Sequence, residues 1–179
     1  MILPENNHLL NIALIGMAGA GKSTVGPLLA EYLQFHFVDT DDLIADSRAT
    51  SLQQVLDTLG QEQFQALEEQ TLLALNMCCH VVATGGSAVY SRPGMKHLQE
   101  IATVVWLDVE LPELESRVDN LDSRGLVNPN GTSFAELYRQ RLDLYREYAN
   151  VRIDCTGKGP KEIARGIFDQ IEQQSNQVT

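Results

Sequence analysis

The chain has 179 residues, with 13 Lys plus Arg against 24 Asp plus Glu and a formal net charge of −11. That length fits one domain that buries its own core without disulfide or metal staples. The acidity argues against a nucleic-acid binder, which wants a basic stripe, and against a surface made for anionic lipid.

Along the chain, short apolar runs alternate with segments of helical period. The first run is Ile12-Ala13-Leu14-Ile15, followed by a glycine-rich stretch and the helical segment Pro27 to Leu33. Phe35-His36-Phe37-Val38 is the second run, and Leu52 to Leu59 and Phe64 to Leu75 are helical in period. Val81-Val82-Ala83, Thr103-Val104-Val105-Trp106-Leu107 and Val151-Arg152-Ile153 are the remaining runs. Continuous rather than alternating apolarity predicts strands covered on both faces. The β-α-β-α order predicts a parallel sheet wrapped by helices, an α/β fold. Ser133-Phe134-Ala135-Glu136 reads as a capping box opening a helix to about Ala149. Pro160 suits the first turn of a last helix. The polar stretch from Asp119 to Thr132 has no apolar period, carries Arg124, and is long enough for a lid.

Three cysteines, Cys78, Cys79 and Cys155, have no ligand spacing and read as reduced thiols of a cytoplasmic protein. Cys78 and Cys79 are expected to be partly buried, Trp106 to be core, and His8, His36, His80 and His97 to be scaffold. No signal peptide or membrane span is expected.

The strongest motif is Gly16-Met17-Ala18-Gly19-Ala20-Gly21-Lys22-Ser23-Thr24, which fits G-x-x-x-x-G-K-[ST] between a strand and a helix. Its backbone N–H groups are expected to surround phosphate oxygens at a helix N-terminus. Lys22 should reach the β- and γ-phosphates, and Ser23 should offer its hydroxyl to Mg²⁺. A nucleoside di- or triphosphate with Mg²⁺ is therefore expected here. No Asn-Lys-x-Asp run for guanine is present.

The second run ends in Asp39-Thr40-Asp41-Asp42. In a parallel sheet this end shares an edge with the phosphate loop. Of Asp39 and Asp41, one can hold Mg²⁺ through water and the other can take a proton from an attacking hydroxyl. Asp42 is expected only to cap the helix that follows. Thr84-Gly85-Gly86-Ser87 ends the third run, as a tight turn or a place of close ligand approach.

Together these blocks resemble the shikimate kinases, small P-loop kinases related to the nucleoside-monophosphate kinases. The matching blocks are the P-loop, Asp39-Thr40-Asp41, Thr84-Gly85-Gly86, a lid arginine and Arg141-Leu142-Asp143-Leu144-Tyr145. The resemblance runs from about Asn11 to Gln174. It implies a three-layer P-loop NTPase fold with a five-stranded parallel sheet ordered 2-3-1-4-5. It also implies an acceptor-binding helical part at about 41–76 and a lid at about 119–132. The implied cofactors are ATP and Mg²⁺, and the implied partner is a small hydroxy acid. A monomer is expected.

By the same resemblance, Lys22 is the phosphate lysine, and Ser23 and Asp39 hold Mg²⁺. Asp41 binds and deprotonates the acceptor hydroxyl, and Gly85 and Gly86 line the acceptor. Arg124 closes on the transferring group, Arg141 grips a carboxylate, and Arg117 lies beside the adenine. Gln65 stands where the family pattern has a second carboxylate-gripping arginine. Ser87 replaces the last of three glycines, the lid reads Arg124-Gly125-Leu126-Val127, and Asp143 replaces a proline. These departures fall on the acceptor side. They leave room for homoserine or another hydroxy acid, with Gln65, Glu68 or Asp143 facing an ammonium, or for shikimate gripped by Arg139 or Arg48. A nucleotide-binding regulatory module with weak turnover is the reading of another class.

Overall fold

A computed structural model describes residues 11–118 and 132–177. Arg124, most of the expected lid and His8 lie outside the described residues.

Five strands form one parallel sheet: β1 (Asn11–Ile15), β2 (His36–Asp39), β3 (His80–Ala83), β4 (Thr103–Asp108) and β5 (Val151–Asp154), in the order β2-β3-β1-β4-β5. This is the 2-3-1-4-5 order that the resemblance implied. The all-apolar runs became the middle of the sheet. Every residue of β1 is buried, and it pairs with β3 (Leu14 opposite Ala83) and β4 (Ile15 opposite Trp106). The edge strands β2 and β5 carry exposed His36 and Arg152.

Buried Asn11 closes the sheet's N-terminal end. Its amide donates to Met77 O (2.7 Å) and Ile101 O (2.9 Å), and its Oδ1 accepts from His80 N (3.0 Å). A buried polar side chain is tolerated when its partners are supplied in this way.

Among the described residues, seven α-helices flank the sheet: α1 (Lys22–Leu33), α2 (Thr40–Arg48), α3 (Leu52–Leu73), α4 (Arg92–Ile101), α5 (Leu111–Val118), α6 (Phe134–Tyr148) and α7 (Pro160–Gln177). α3 joins the two helical segments expected around Leu52–Leu59 and Phe64–Leu75 across a kink at Gly60 (φ 70°, ψ 171°). α2 and α3 enclose a small second core of Ile44, Val55 and Phe64. Ser133 caps α6 through the expected box with Glu136, and Pro160 opens α7. Among the described residues, no helix is long and apolar enough to cross a membrane.

Two expectations need correction. α2 begins at Thr40 with Asp39 as its cap, so Asp42 lies inside the first turn and is not the cap. Cys78 is exposed and only Cys79 is half-buried, because the residues just before β3 form a bend with Cys79 at φ 59°. Trp106 is core, as expected. His97 bonds Leu75 O (2.8 Å) and His80 bonds Cys78 O (2.7 Å), both backbone tethers; His36 lies beside His80, with ring centroids 5.1 Å apart.

Candidate active site

The P-loop turns from β1 into α1. Gly16 has φ 147°, and a Cβ there would stand 2.8 Å from Leu107 O, so only glycine fits against β4. Gly19 and Gly21 also have positive φ, Met17 and Ala20 are buried, and Ala18 is half-buried. Lys22 opens α1 and folds its ammonium over the loop. Nζ donates to Gly16 O (2.8 Å) and Met17 O (2.9 Å), which leaves one of its three N–H donors. Burial lowers its pKa to about 8, against the opposing charges of Asp41 and Asp39. Ser23 and Thr24 follow in the exposed first turn of α1.

The carboxyl end of β2 delivers the aspartates to the same edge. Ser23 Oγ donates to Asp39 Oδ2 at 2.6 Å, joining α1 to β2. This hydroxyl and carboxylate are hard oxygen donors beside a phosphate loop, a set that fits Mg²⁺ held partly by phosphates and water. Among the described residues, no cluster of three or more His, Cys, Asp or Glu could hold a metal without such help.

Asp41 stands two residues further on, in the first turn of α2. Its pKa is raised to about 6, first by burial and then by the Asp39 charge, while Lys22 opposes. Glu68 on α3 is raised to about 7, mainly by burial.

The turn after β3 forms the facing wall. Thr84 Oγ1 donates to Leu14 O (3.0 Å), and Gly85 N donates to Thr40 Oγ1 (3.1 Å). A Cβ on Gly85 would collide with Glu68 Oε1 and stand 2.8 Å from Asp41 Oδ1. A Cβ on Gly86 would stand 3.2 Å from Arg141 Nη1 and 3.5 Å from Ala18 N. The glycine pair thus brings two acids, one arginine and the P-loop backbone to a single place.

Arg141 on α6 is 3% exposed. Its Nε donates to Tyr90 Oη at 3.2 Å, and Tyr145 Oη donates to Gly86 O at 3.3 Å. Among the described residues no carboxylate lies within ion-pair distance of it. A buried guanidinium with no anion beside it is costly unless a ligand supplies one.

Other candidates fall elsewhere. Arg117 on α5 donates to Gly19 O (3.0 Å) and pairs with Glu113, against the P-loop backbone. Gln65 is half-buried on α3, one turn before Glu68. Arg48 and Arg139 are exposed. Asp143 is exposed and pairs with Arg146 (2.8 Å), so it is not the polar partner expected for an acceptor ammonium. Sequence reasoning did not single out Thr40, Tyr90 or the hydroxyl of Tyr145, since nothing local marks them.

The fold and site define a P-loop kinase of small molecules. A family model described as shikimate kinase matches residues 18–172. A shikimate kinase of Persephonella marina is 36% identical over 165 residues, covering 90% of this chain and 98% of that protein. One from Sulfurihydrogenibium is 35% identical over 164 residues, covering 91% and 98%. The structure of a shikimate kinase from Acinetobacter baumannii in complex with shikimate superposes with a TM-score of 0.87, at 29% identity over 94% of this chain and 96% of that one. The chain belongs to the shikimate kinase family, a family of kinases that take their phosphoryl group from ATP.

Proposed function

We propose that this chain transfers the γ-phosphoryl group of ATP to the 3-hydroxyl of shikimate, giving ADP and shikimate 3-phosphate. The observation that carries this reading is the meeting of Asp41 and Arg141 around Gly85 and Gly86, with Lys22 close enough to interact electrostatically with both. It supplies a base, a phosphate cation and a carboxylate grip in one pocket.

Phosphoryl transfer is catalysed by positioning and charge neutralisation. Gly16 to Thr24 bind the phosphates, with Lys22 on the β- and γ-oxygens. Arg117 flanks the nucleotide from α5. Asp41 accepts the proton of the attacking hydroxyl, and Arg141 forks onto the acceptor carboxylate. Ser23 and Asp39 hold Mg²⁺, which when bound neutralises phosphate charge. α2 and α3, within about 41–76, form the acceptor-binding part, and Arg124 acts from the lid, about 119–132. The net charge of −11 favours a small-molecule acceptor over nucleic acid or anionic membrane. We take the working unit to be a monomer.

The test is ADP release from Mg-ATP with shikimate, run beside homoserine and other hydroxy acids. Saturable turnover with shikimate at a KM between about 1 μM and 1 mM supports the reading. Turnover of another acceptor with silence on shikimate removes it. Nucleotide binding with no ADP release on any acceptor replaces it with a regulatory module.

A further inference from the structure

The turn at Gly85 and Gly86 brings two acids, Asp41 and Glu68, and the buried Arg141 to one place. Glu68 is 6% exposed and Arg141 3% exposed. They are close enough for Arg141 to favour the ionised form of Glu68. Opposite charges attract strongly in such surroundings. An ion pair between them would close the guanidinium to an incoming carboxylate. Among the described residues they form none.

Ser87 holds the carboxylate instead. Its Oγ donates to Glu68 Oε2 at 2.5 Å, inside the buried pocket. Glu68 Oε1 is left facing Gly85. The hydroxyl is well fixed, since Ser87 follows the glycine pair and its own turn is closed by Ala88 N to Gly85 O (3.2 Å) and Tyr90 N to Ser87 O (3.0 Å). Helix α3 has no lysine or arginine to do the same work, and Gln65, one turn earlier, is neutral. Arg141 itself rests on Tyr90, with its guanidinium carbon 5.0 Å from the ring centroid.

We propose that Ser87 is a positioning residue for the acceptor: its hydrogen bond holds the Glu68 carboxylate off Arg141 and keeps that guanidinium available to the carboxylate of shikimate. This rests on the function proposed above. Ser87 touches no reacting atom, so its effect belongs to acceptor binding. When the hydroxyl is removed, Glu68 turns to Arg141 and competes with the acceptor for it.

The test is steady-state kinetics of the full chain with Mg-ATP and shikimate. Ser87→Ala and Ser87→Gly should each raise the shikimate KM about tenfold, the effect of losing one hydrogen bond to a charged group. The kcat and the KM for ATP should stay within about twofold. In a Glu68→Gln background, Ser87→Ala should change the shikimate KM by less than about twofold, because a neutral amide does not compete for Arg141. A structural role alone would lower kcat and weaken ATP binding together. An unchanged shikimate KM in both serine variants overturns the proposal, as does an equal loss with and without Glu68. If the unaltered chain does not turn over shikimate, the proposed function falls, and the role of Ser87 with it. If the unaltered chain is active and the variants match it, only the role of Ser87 falls.

Discussion

The backbone N–H of Asp41 donates to Oδ1 of Asp39 at 3.0 Å, while the other oxygen of Asp39 accepts from Ser23. One carboxylate thereby caps α2 and faces the phosphate loop. The cap also fixes where Asp41 points, since Asp41 sits in the first turn of the helix that Asp39 starts. The two acids differ in environment: Asp39 is tied by hydrogen bonds, and Asp41 is left half-buried among charges.

That division gives a pH prediction. Asp41 is pushed up to about 6, chiefly by burial, and in the proposed role of base it acts only when ionised. As pH falls through about 6 the carboxylate is protonated, and kcat/KM for shikimate should drop about tenfold per pH unit below it. Asp41→Asn should lower kcat by about 10²–10⁴ and abolish this acid limb. A pH–rate profile of both proteins checks it; an acid limb that survives in the variant assigns the base elsewhere.

Arg141 should behave as a fork and not merely as a charge. Arg141→Lys keeps the cation but loses the paired donors that match a carboxylate. The shikimate KM should rise by about one to two decades, the equivalent of about 1.5–3 kcal/mol. The KM for ATP should change by less than about threefold, because the P-loop binds ATP separately. Measuring both constants in one variant checks it, and a lysine that restores the shikimate KM would show that charge alone suffices.

Much of this arrangement is legible in the sequence, for physical reasons. The strands are plain because burial on both faces demands unbroken apolar runs such as Ile12 to Ile15. The P-loop is plain because its glycines, lysine and serine must be contiguous. The choice of cap at Asp39 is not, since Asp39, Asp41 and Asp42 are all good caps. It is settled by β2, whose pairing extends to Asp39 opposite Ala83, so the helix starts one residue later. The bond between Ser87 and Glu68 joins residues 19 apart in the chain, from α3 to the β3 turn, and no local pattern marks it. Tyr90 and Tyr145 reach the site in the same non-local way.

Glu68 links function to stability. Its pKa rises from the usual 4.5 to about 7 in the folded chain, mainly through burial. The folded state therefore binds the proton more tightly than the unfolded state. Its stabilising contribution is present below about 4.5 and is lost as pH rises through about 7. Glu68→Gln removes the buried charge and keeps an oxygen for Ser87. At pH 8 the variant should be more stable by on the order of 1–3 kcal/mol, a gain that vanishes toward pH 4.5. Denaturant unfolding at the two pH values checks it, and an equal gain at both would mean that ionisation of Glu68 is not the cause.

Position 65 supplies the sharpest test of how the pocket grips its ligand. Gln65 sits half-buried one turn before Glu68, at the place where the family resemblance implies an arginine. An amide gives neither the charge nor the fork that a carboxylate prefers. Gln65→Arg should lower the shikimate KM by about tenfold, the worth of one charge-assisted hydrogen bond to the acceptor. The same arginine, one helical turn from Glu68, also gives that carboxylate a cation of its own. Ser87→Ala should then cost little: in the Gln65→Arg background its effect on the shikimate KM should shrink from about tenfold to within about twofold. The pair of substitutions thus separates two ways of holding one carboxylate, a hydroxyl from the β3 turn or a cation from α3. If Ser87→Ala costs as much with Arg at 65 as with Gln, the serine holds Glu68 for a reason other than the missing charge.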